Sequence, residues 1–268
     1  MSRAPQQKIE VQKLTVEPAD AGRRLDNFIS SHLKNIPKSR IYQMLRRGEV
    51  RVNGGRSRQD YRLEDGDIVR IPPVHMEPAT AVPAVATAVA ERLLGRILYE
   101  DNQLLVLDKP AGLAVHGGSG IVHGVIEILR AGRPEIQRLE LVHRLDRETS
   151  GCLLLTKDMT VLRSLHDQLR AGTVRKGYTA LLEGRMERRS LAVDAPLGRQ
   201  KNRAGERLVI VDAAGKPSAT HIKRRQVFGD ATLADVSLLT GRTHQIRVHA
   251  AAASHPLAGD TRIRRSWV

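Results

Sequence analysis

The sequence predicts an α+β protein: a small basic unit, a linker with almost no charge, then a larger unit. Three observations carry this. Apolar residues recur with helical spacing near the start and alternate as in strands soon after. Residues 74–90 are Ala, Val, Pro and Thr with almost no charge, which suits a semi-extended linker. From Glu91 onward, short strands and helices follow one another in no fixed order. The domain expectation is therefore a polar tail over 1–20, a basic unit over 21–73, a linker over 74–90 and a larger unit over 91–268.

The elements read as follows. Residues 1–13 are polar and read as loose. Leu25, Phe28, Ile29 and Leu33 have helical spacing. Ser39 reads as the N-cap of a second short helix carrying Ile41, Met44 and Leu45, with Gly48 past its end. Val50 and Val52 alternate as in a strand, and Asn53-Gly54 is a hairpin-type turn. Asp65-Gly66 turns into a strand over Asp67 to Ile71, and Pro72-Pro73 closes the unit. Further on, Ile97 to Tyr99 and Leu104 to Leu107 pair around Asp101-Asn102. Leu139 to Val142 and Cys152 to Thr156 read as strands flanking a charged loop. Leu162, Leu165, His166 and Leu169 mark a helix, Tyr178 to Leu182 and Leu233 to Leu239 two strands, and Thr243 to Ala253 a last helix.

Composition narrows the partners. Lys plus Arg is 44 against 29 Asp plus Glu, a formal net charge of +15 over 268 residues. Such an excess points to a polyanion, nucleic acid first. Between Lys34 and Arg62 there are nine Lys/Arg and two Asp/Glu. Arg40, Arg46, Arg47, Arg51, Arg56 and Arg58 crowd there, either as a solvated face or as a phosphate-binding patch. With one cysteine, Cys152, no intrachain disulfide forms. The start of the chain lacks the apolar core of a signal peptide, and the longest apolar stretch, about Ala79 to Ala90, is too short to span a bilayer. The expected compartment is the cytoplasm. Ten histidines occur without HExxH or paired CxxC, and no GxSxG occurs. Neither a metal site nor a hydrolase triad is expected.

The segment Val142-His143-Arg144-Leu145-Asp146-Arg147-Glu148-Thr149-Ser150-Gly151 carries most of the chemistry. An aspartate between arginines stays ionised and can accept a bidentate partner. It can equally begin the turn into Thr149-Ser150-Gly151. The string resembles the HRLD signature of the RluA family of RNA pseudouridine synthases. Arg24-Leu25-Asp26, Ser39-Arg40, Arg47 to Gly54 and Leu63 to Asp67 are similar to an S4 RNA-binding domain over about Gly22 to Ile71.

That resemblance implies a catalytic domain on a mixed, mostly antiparallel sheet with flanking helices. It implies isomerisation of uridine: the N1–C1′ bond breaks, the base turns, and C5 joins C1′. No metal, redox cofactor or nucleotide is needed, so no cofactor is expected. Asp146 becomes the essential carboxylate, acting as nucleophile or as base. Arg144 fills the gap left by the flipped base, unless it contacts phosphate. Lys176-Gly177-Tyr178 resembles the family's Lys-x-Tyr motif, which makes Tyr178 a stacking platform with a hydroxyl near the chemistry. Thr240 to His249 is similar to a GRxHQxR segment. With Thr243 opening a helix, His244 and Arg247 share a face. The resemblance pairs Arg247 with Asp146 and gives Arg242 and His244 to RNA. Val106 to Gly118 resembles a KPxG buttress. The run Gly117-Gly118-Ser119-Gly120 reads as a flexible loop more than a phosphate cradle.

The string Ala114 to Gly120 with Gly124 to Glu127 is most like members acting on 23S ribosomal RNA, so that RNA is the expected partner. No membrane and no obligate protein partner is expected, and the protein is expected to be a monomer. Two other functions fit: a non-catalytic S4-type RNA-binding or ribosome-assembly protein, and a synthase acting on tRNA. After His255 to Asp260 the family continues through Tyr-Gly, whereas this sequence reads Thr261 to Val268. The expectation is a catalytic domain lacking its C-terminal part, with an exposed strand edge, poor folding or weak activity.

Overall fold

The computed structural model describes residues 7–9, 11–18, 20–33, 36, 38–76, 85–118, 121–201, 205 and 207–264. It divides into two compact units, Met1–His143 with Ser150–Leu162, and Arg144–Thr149 with Arg163–Val268. Every pairing between the described strands is antiparallel.

The first unit opens with β1 (Gln7–Ile9) and β2 (Gln12–Thr15). Helices α1 (Leu25–His32) and α2 (Lys38–Arg47) follow, then β3 (Arg51–Val52), β4 (Ile68–Ile71) and β5 (Val74–Met76). Strands β2, β4 and β3 form one sheet in that order. Its inner face and the two helices share a core that includes Phe28, Ile29, Ile41, Met44, Val69 and Ile71. Each such side chain, fully buried, contributes about 1.5–3 kcal/mol. Asn53 and Gly54 take φ of 49° and 79° between Val52 and Gly55, the primed turn expected of Asn-Gly. Asp67 is buried beneath this turn. Burial opposes its ionised form, but hydrogen bonds from the Glu64 N–H, Asn53 and Tyr61 outweigh that and hold its carboxyl below the usual range.

Three local readings are revised. Ser39 lies inside α2, which starts at Lys38, so it does not precede the helix as its cap. Residues 7–9 pair with 74–76, so part of the tail and the first linker residues are strand. The pattern in both is too short for periodicity to register. The linker's end is also helical, since α3 (Thr87–Leu94) starts there, while 77–84 lie outside the described residues.

Beyond α3 come β6 (Ile97–Glu100), β7 (Leu104–Lys109), α4 (Val125–Gly132), β8 (Glu140–Leu141) and β9 (Gly151–Thr156). The sheet order is β6-β7-β9-β8. Leu105 faces Leu155 and Leu107 faces Leu153, all four fully buried. Lys109 is fully buried too, and its ammonium donates to the carbonyls of Pro110 and Leu113. The glycine-rich run is tied down at its start. The Gly117 and Gly124 N–H groups both donate to Glu127 Oε2, so a carboxylate holds the amides a phosphate would need. A Cβ on Gly124 would sit 2.4–2.6 Å from the His116 backbone, which explains glycine there. Ser119 and Gly120 lie outside the described residues.

The chain continues through α5 (Met159–Ala171). The second unit then holds β10 (Lys176–Glu183), β11 (Ser190–Asp194), β12 (Leu197–Lys201), β13 (Arg207–Val211), β14 (Ala219–Phe228) and β15 (Ala231–Leu238). Helices α6 (Gln245–Ala252) and α7 (Thr261–Arg264) follow. Its sheet runs β10-β15-β14-β11, and β12 and β13 form a separate pair. Strand alternation buries Ala180, Leu182, Ile222, Ala234 and Val236 on one face, together with Ala250 of α6. Tyr178 lies at the edge of this cluster.

Candidate active site

Asp146 sits in a tight turn closed by the Thr149 N–H donating to its carbonyl at 3.1 Å. Its side chain is 23% exposed, and Oδ2 lies 3.9 Å from His244 Nε2. That is too long for a hydrogen bond. Arg144, two residues before this turn, is exposed, and its charge acts on His244.

Gln245 sets up the other side. Its Nε2 donates to the Ala219 carbonyl and Thr220 Oγ1 at 3.0 and 2.9 Å. Its Oε1 accepts from Thr240 Oγ1 and the Arg242 N–H at 2.8 and 2.9 Å. One buried amide thus fixes the turn 240–242 and the start of α6 to β14. His249, fully buried one helical turn on, adds contacts to Thr220 Oγ1 at 2.8 Å and the Ala195 carbonyl at 2.9 Å. Arg242 is exposed, with its Nε donating to the Pro217 carbonyl.

His244 precedes the helix with φ 55° and ψ 21°, in the left-handed region. The helix therefore starts at Gln245, not at Thr243, and His244 leaves the helical face expected for it. Arg247 does not form the expected pair with Asp146. Its Nε and Nη2 donate to Asp260 Oδ2 and Oδ1 at 2.6 and 2.8 Å. The cause is a long-range pairing. Leu257 bridges to Leu182, the Glu183 N–H donates to the Pro256 carbonyl, and the Ala258 N–H donates to the Leu181 carbonyl. This lays residues 256–258 along the edge of β10 and sets Asp260 beside α6.

The electrostatics are asymmetric. Burial pushes His244 below the ordinary histidine value, more than Asp146 raises it, so the imidazole is neutral at pH 7. Burial, then the Asp146 charge, pushes the Tyr178 phenol up, so it keeps its proton. The Asp260 hydrogen bonds raise Arg247, and Asp146 adds to this through space. Asp146, Tyr178, His244 and Arg247 therefore form one electrostatic neighbourhood, with Arg144 at its rim. Lys176 lies beside the 240–242 turn: a Cβ on Gly241 would sit 3.6 Å from its ammonium.

The other predicted cations lie in the first unit. Arg46 and Arg47 are exposed in the last turn of α2. Arg56 lies over Gly48, whose φ is +67° and where a Cβ would sit 2.5 Å from Arg56 Nε. Arg40 and Arg47 share Glu49 at 3.6 and 3.8 Å, and Arg51 is half-buried on β3. Sequence reasoning assigned no role to Gln245, His249 or Asp260. Gln245 stood inside the GRxHQxR string, which was the available signal. Among the described residues, no group of three or more His, Cys, Asp or Glu could hold a metal ion, and no helix is long and apolar enough to cross a membrane.

A carboxylate held in a turn, a protonated tyrosine on an edge strand and a clamped arginine, in a chain with a separate arginine-rich unit, suit an enzyme that acts on RNA. Residues 103–252 match the family described as RNA pseudouridylate synthase, and residues 23–69 match the S4 domain. The chain belongs to the RNA pseudouridylate synthase family. It is 52% identical over 253 residues to ribosomal large subunit pseudouridine synthase C of Yersinia pestis, covering 94% of this chain and 79% of that protein. The protein of that name in Escherichia coli strain K12 is 51% identical over 255 residues, with the same coverage. The solved structure of human RNA pseudouridylate synthase domain containing 1 aligns with a TM-score of 0.55 at 26% identity, over 69% of this chain and 71% of that one.

Proposed function

We propose that this enzyme converts uridines of 23S ribosomal RNA to pseudouridine, with Asp146 as the catalytic carboxylate. The observation that carries the assignment is the Asp146 neighbourhood. Among the described residues no side chain donates a hydrogen bond to its carboxylate, yet Arg247 lies close enough to act on it and to be acted on. An uncapped carboxylate suits attack at C1′ or removal of a proton from the ribose. The large-subunit substrate rests on the names of the relatives, together with the basic S4 unit.

The uridine must leave the stack before Asp146 can reach its ribose. Tyr178, with its ring at the core edge, offers the flipped base a platform. Its proton is retained, so the hydroxyl serves as a hydrogen-bond donor before any proton is taken from C5. The reaction is balanced within the substrate: N1–C1′ breaks, C5–C1′ forms, C5 loses a proton and N1 gains one. Arg144, exposed two residues before Asp146, enters the vacated stack on this reading. The enzyme works as a monomer in the cytoplasm on this reading.

The test is pseudouridine mapping on unmodified 23S rRNA by carbodiimide adduct stops in primer extension. New stops with the wild-type chain are the expected result. Stops on tRNA and none on 23S rRNA would move the substrate assignment.

A further inference from the structure

We propose that the outer face of the S4 sheet is a phosphate track, built from Lys13, Arg70 and Arg51, that grips the backbone of the RNA substrate. The inference rests on the reading above that the substrate is an RNA. In the register of this sheet Arg70 of β4 stands opposite Lys13 of β2 and opposite Arg51 of β3. Directly opposed residues share a face. The next row inward is Leu14, Val69 and Val52, which face the core. The cationic row therefore faces solvent, with Lys13 exposed and Arg51 and Arg70 half-buried.

Three like charges in one cross-strand row repel each other. The row spans two inter-strand steps, about 10 Å. A protein with no use for it would place an acid there. None is present: Lys13, Arg51 and Arg70 have no salt bridge among the described residues. Arg46, Arg56 and Arg62 likewise have no salt bridge among the described residues, while other neighbouring cations are paired. Arg23 pairs with Asp20, Arg24 with Asp26 and Arg58 with Asp60. Glu49, the acid nearest in sequence, is shared by Arg40 and Arg47, and Arg70 reaches only its carbonyl at 3.3 Å. Asp67 is buried and engaged by Asn53, Tyr61 and the Glu64 N–H.

A polyanion that lies across the strands removes this repulsion. The remaining outer residues, Thr15 and Ile68, offer little to read a base edge. The track therefore holds phosphates without regard to sequence. Through Glu49, whose carbonyl accepts from Arg70 and whose carboxylate pairs with Arg40 and Arg47, the track adjoins the arginines of α2.

The test measures affinity of the full chain for a 23S rRNA transcript and for an unrelated transcript of equal length, over a series of salt concentrations. Lys13→Gln, whose side chain has no salt bridge among the described residues, and Arg70→Gln are compared with wild type. Each is expected to weaken both complexes alike and to lower the slope of log K against log salt by about 0.7–0.9. Arg92→Gln on α3, an exposed cation outside the S4 unit, is expected to leave that slope unchanged. Wild-type slopes in both track variants would overturn the track and leave the substrate assignment standing. Weakening confined to one of the two RNAs would also overturn it. A wild-type chain that binds neither RNA would overturn the substrate assignment and the track together.

Discussion

Asp260 grips the Nε–Nη2 edge of Arg247 in a two-point ion pair, with only 10% and 19% of the two side chains exposed. The guanidinium is thereby held as a charge near Asp146 without covering its oxygens. Breaking a pair this buried leaves the surviving charge unpartnered, at a cost of about 3–5 kcal/mol. Asp260→Asn and Arg247→Met are each expected to destabilise the protein, and the double variant by less than their sum. Urea unfolding of the four proteins measures the coupling. Additive effects would mean that the pair does not form.

Gln245 makes four hydrogen bonds through one amide, two donated and two accepted. Gln245→Leu keeps the volume but removes all four bonds: the Arg242 N–H and the Thr240 hydroxyl proton lose their acceptor, while Thr220 keeps His249 and the Ala219 carbonyl keeps the Leu239 N–H. The expected loss is about 2–4 kcal/mol, with turnover reduced because the start of α6 loosens. Gln245→Glu, which cannot donate to the Ala219 carbonyl, is expected to fail as well. Thermal midpoints and turnover on 23S rRNA test both. A Gln245→Leu protein with wild-type stability would contradict this account of the 240–245 turn.

The left-handed backbone at His244 gives a directional test. Asn tolerates φ near +55°, whereas a β-branched side chain clashes there. His244→Asn is expected to fold as stably as wild type, and His244→Val to lose about 1–3 kcal/mol. Equal stabilities would show that His244 adopts an ordinary helical start.

His249 makes stability depend on pH. Burial lowers its folded-state pKa, against the smaller opposing effects of the Ala195 carbonyl and Asp194. The unfolded chain then binds the proton more readily than the folded one, so stability rises with pH. The contribution is full above the ordinary histidine value of about 6.5 and is lost as pH falls through the lower folded value. His244 shifts the same way. Urea midpoints between pH 5 and 7.5 are expected to fall more steeply on acidification for wild type than for His249→Gln. Parallel curves would contradict it.

Much of this was legible in the sequence, for physical reasons. The helix at Leu25 to Leu33 and the Asn53-Gly54 turn are local, written by side-chain spacing and by tolerance for positive φ. The HRLD, Lys-x-Tyr and GRxHQxR strings named the residues that meet around Asp146. The partner of Arg247 was not legible. It depends on residues 256–258 pairing with β10, a contact made across more than seventy positions, and on a left-handed residue that no periodicity announces. The cationic row of the S4 sheet was hidden likewise. Arg51 stood out within a basic stretch, but Lys13 and Arg70 join it only through strand register.

The central claim is that Asp146 carries out the chemistry. The most direct measurement compares wild type with Asp146→Asn for pseudouridine formation on unmodified 23S rRNA, with RNA affinity measured in parallel. The account predicts product with wild type, none with Asp146→Asn, and affinities within about twofold, since the substitution removes a reacting group and not a phosphate contact. Product formation by Asp146→Asn at a rate near that of wild type would contradict it.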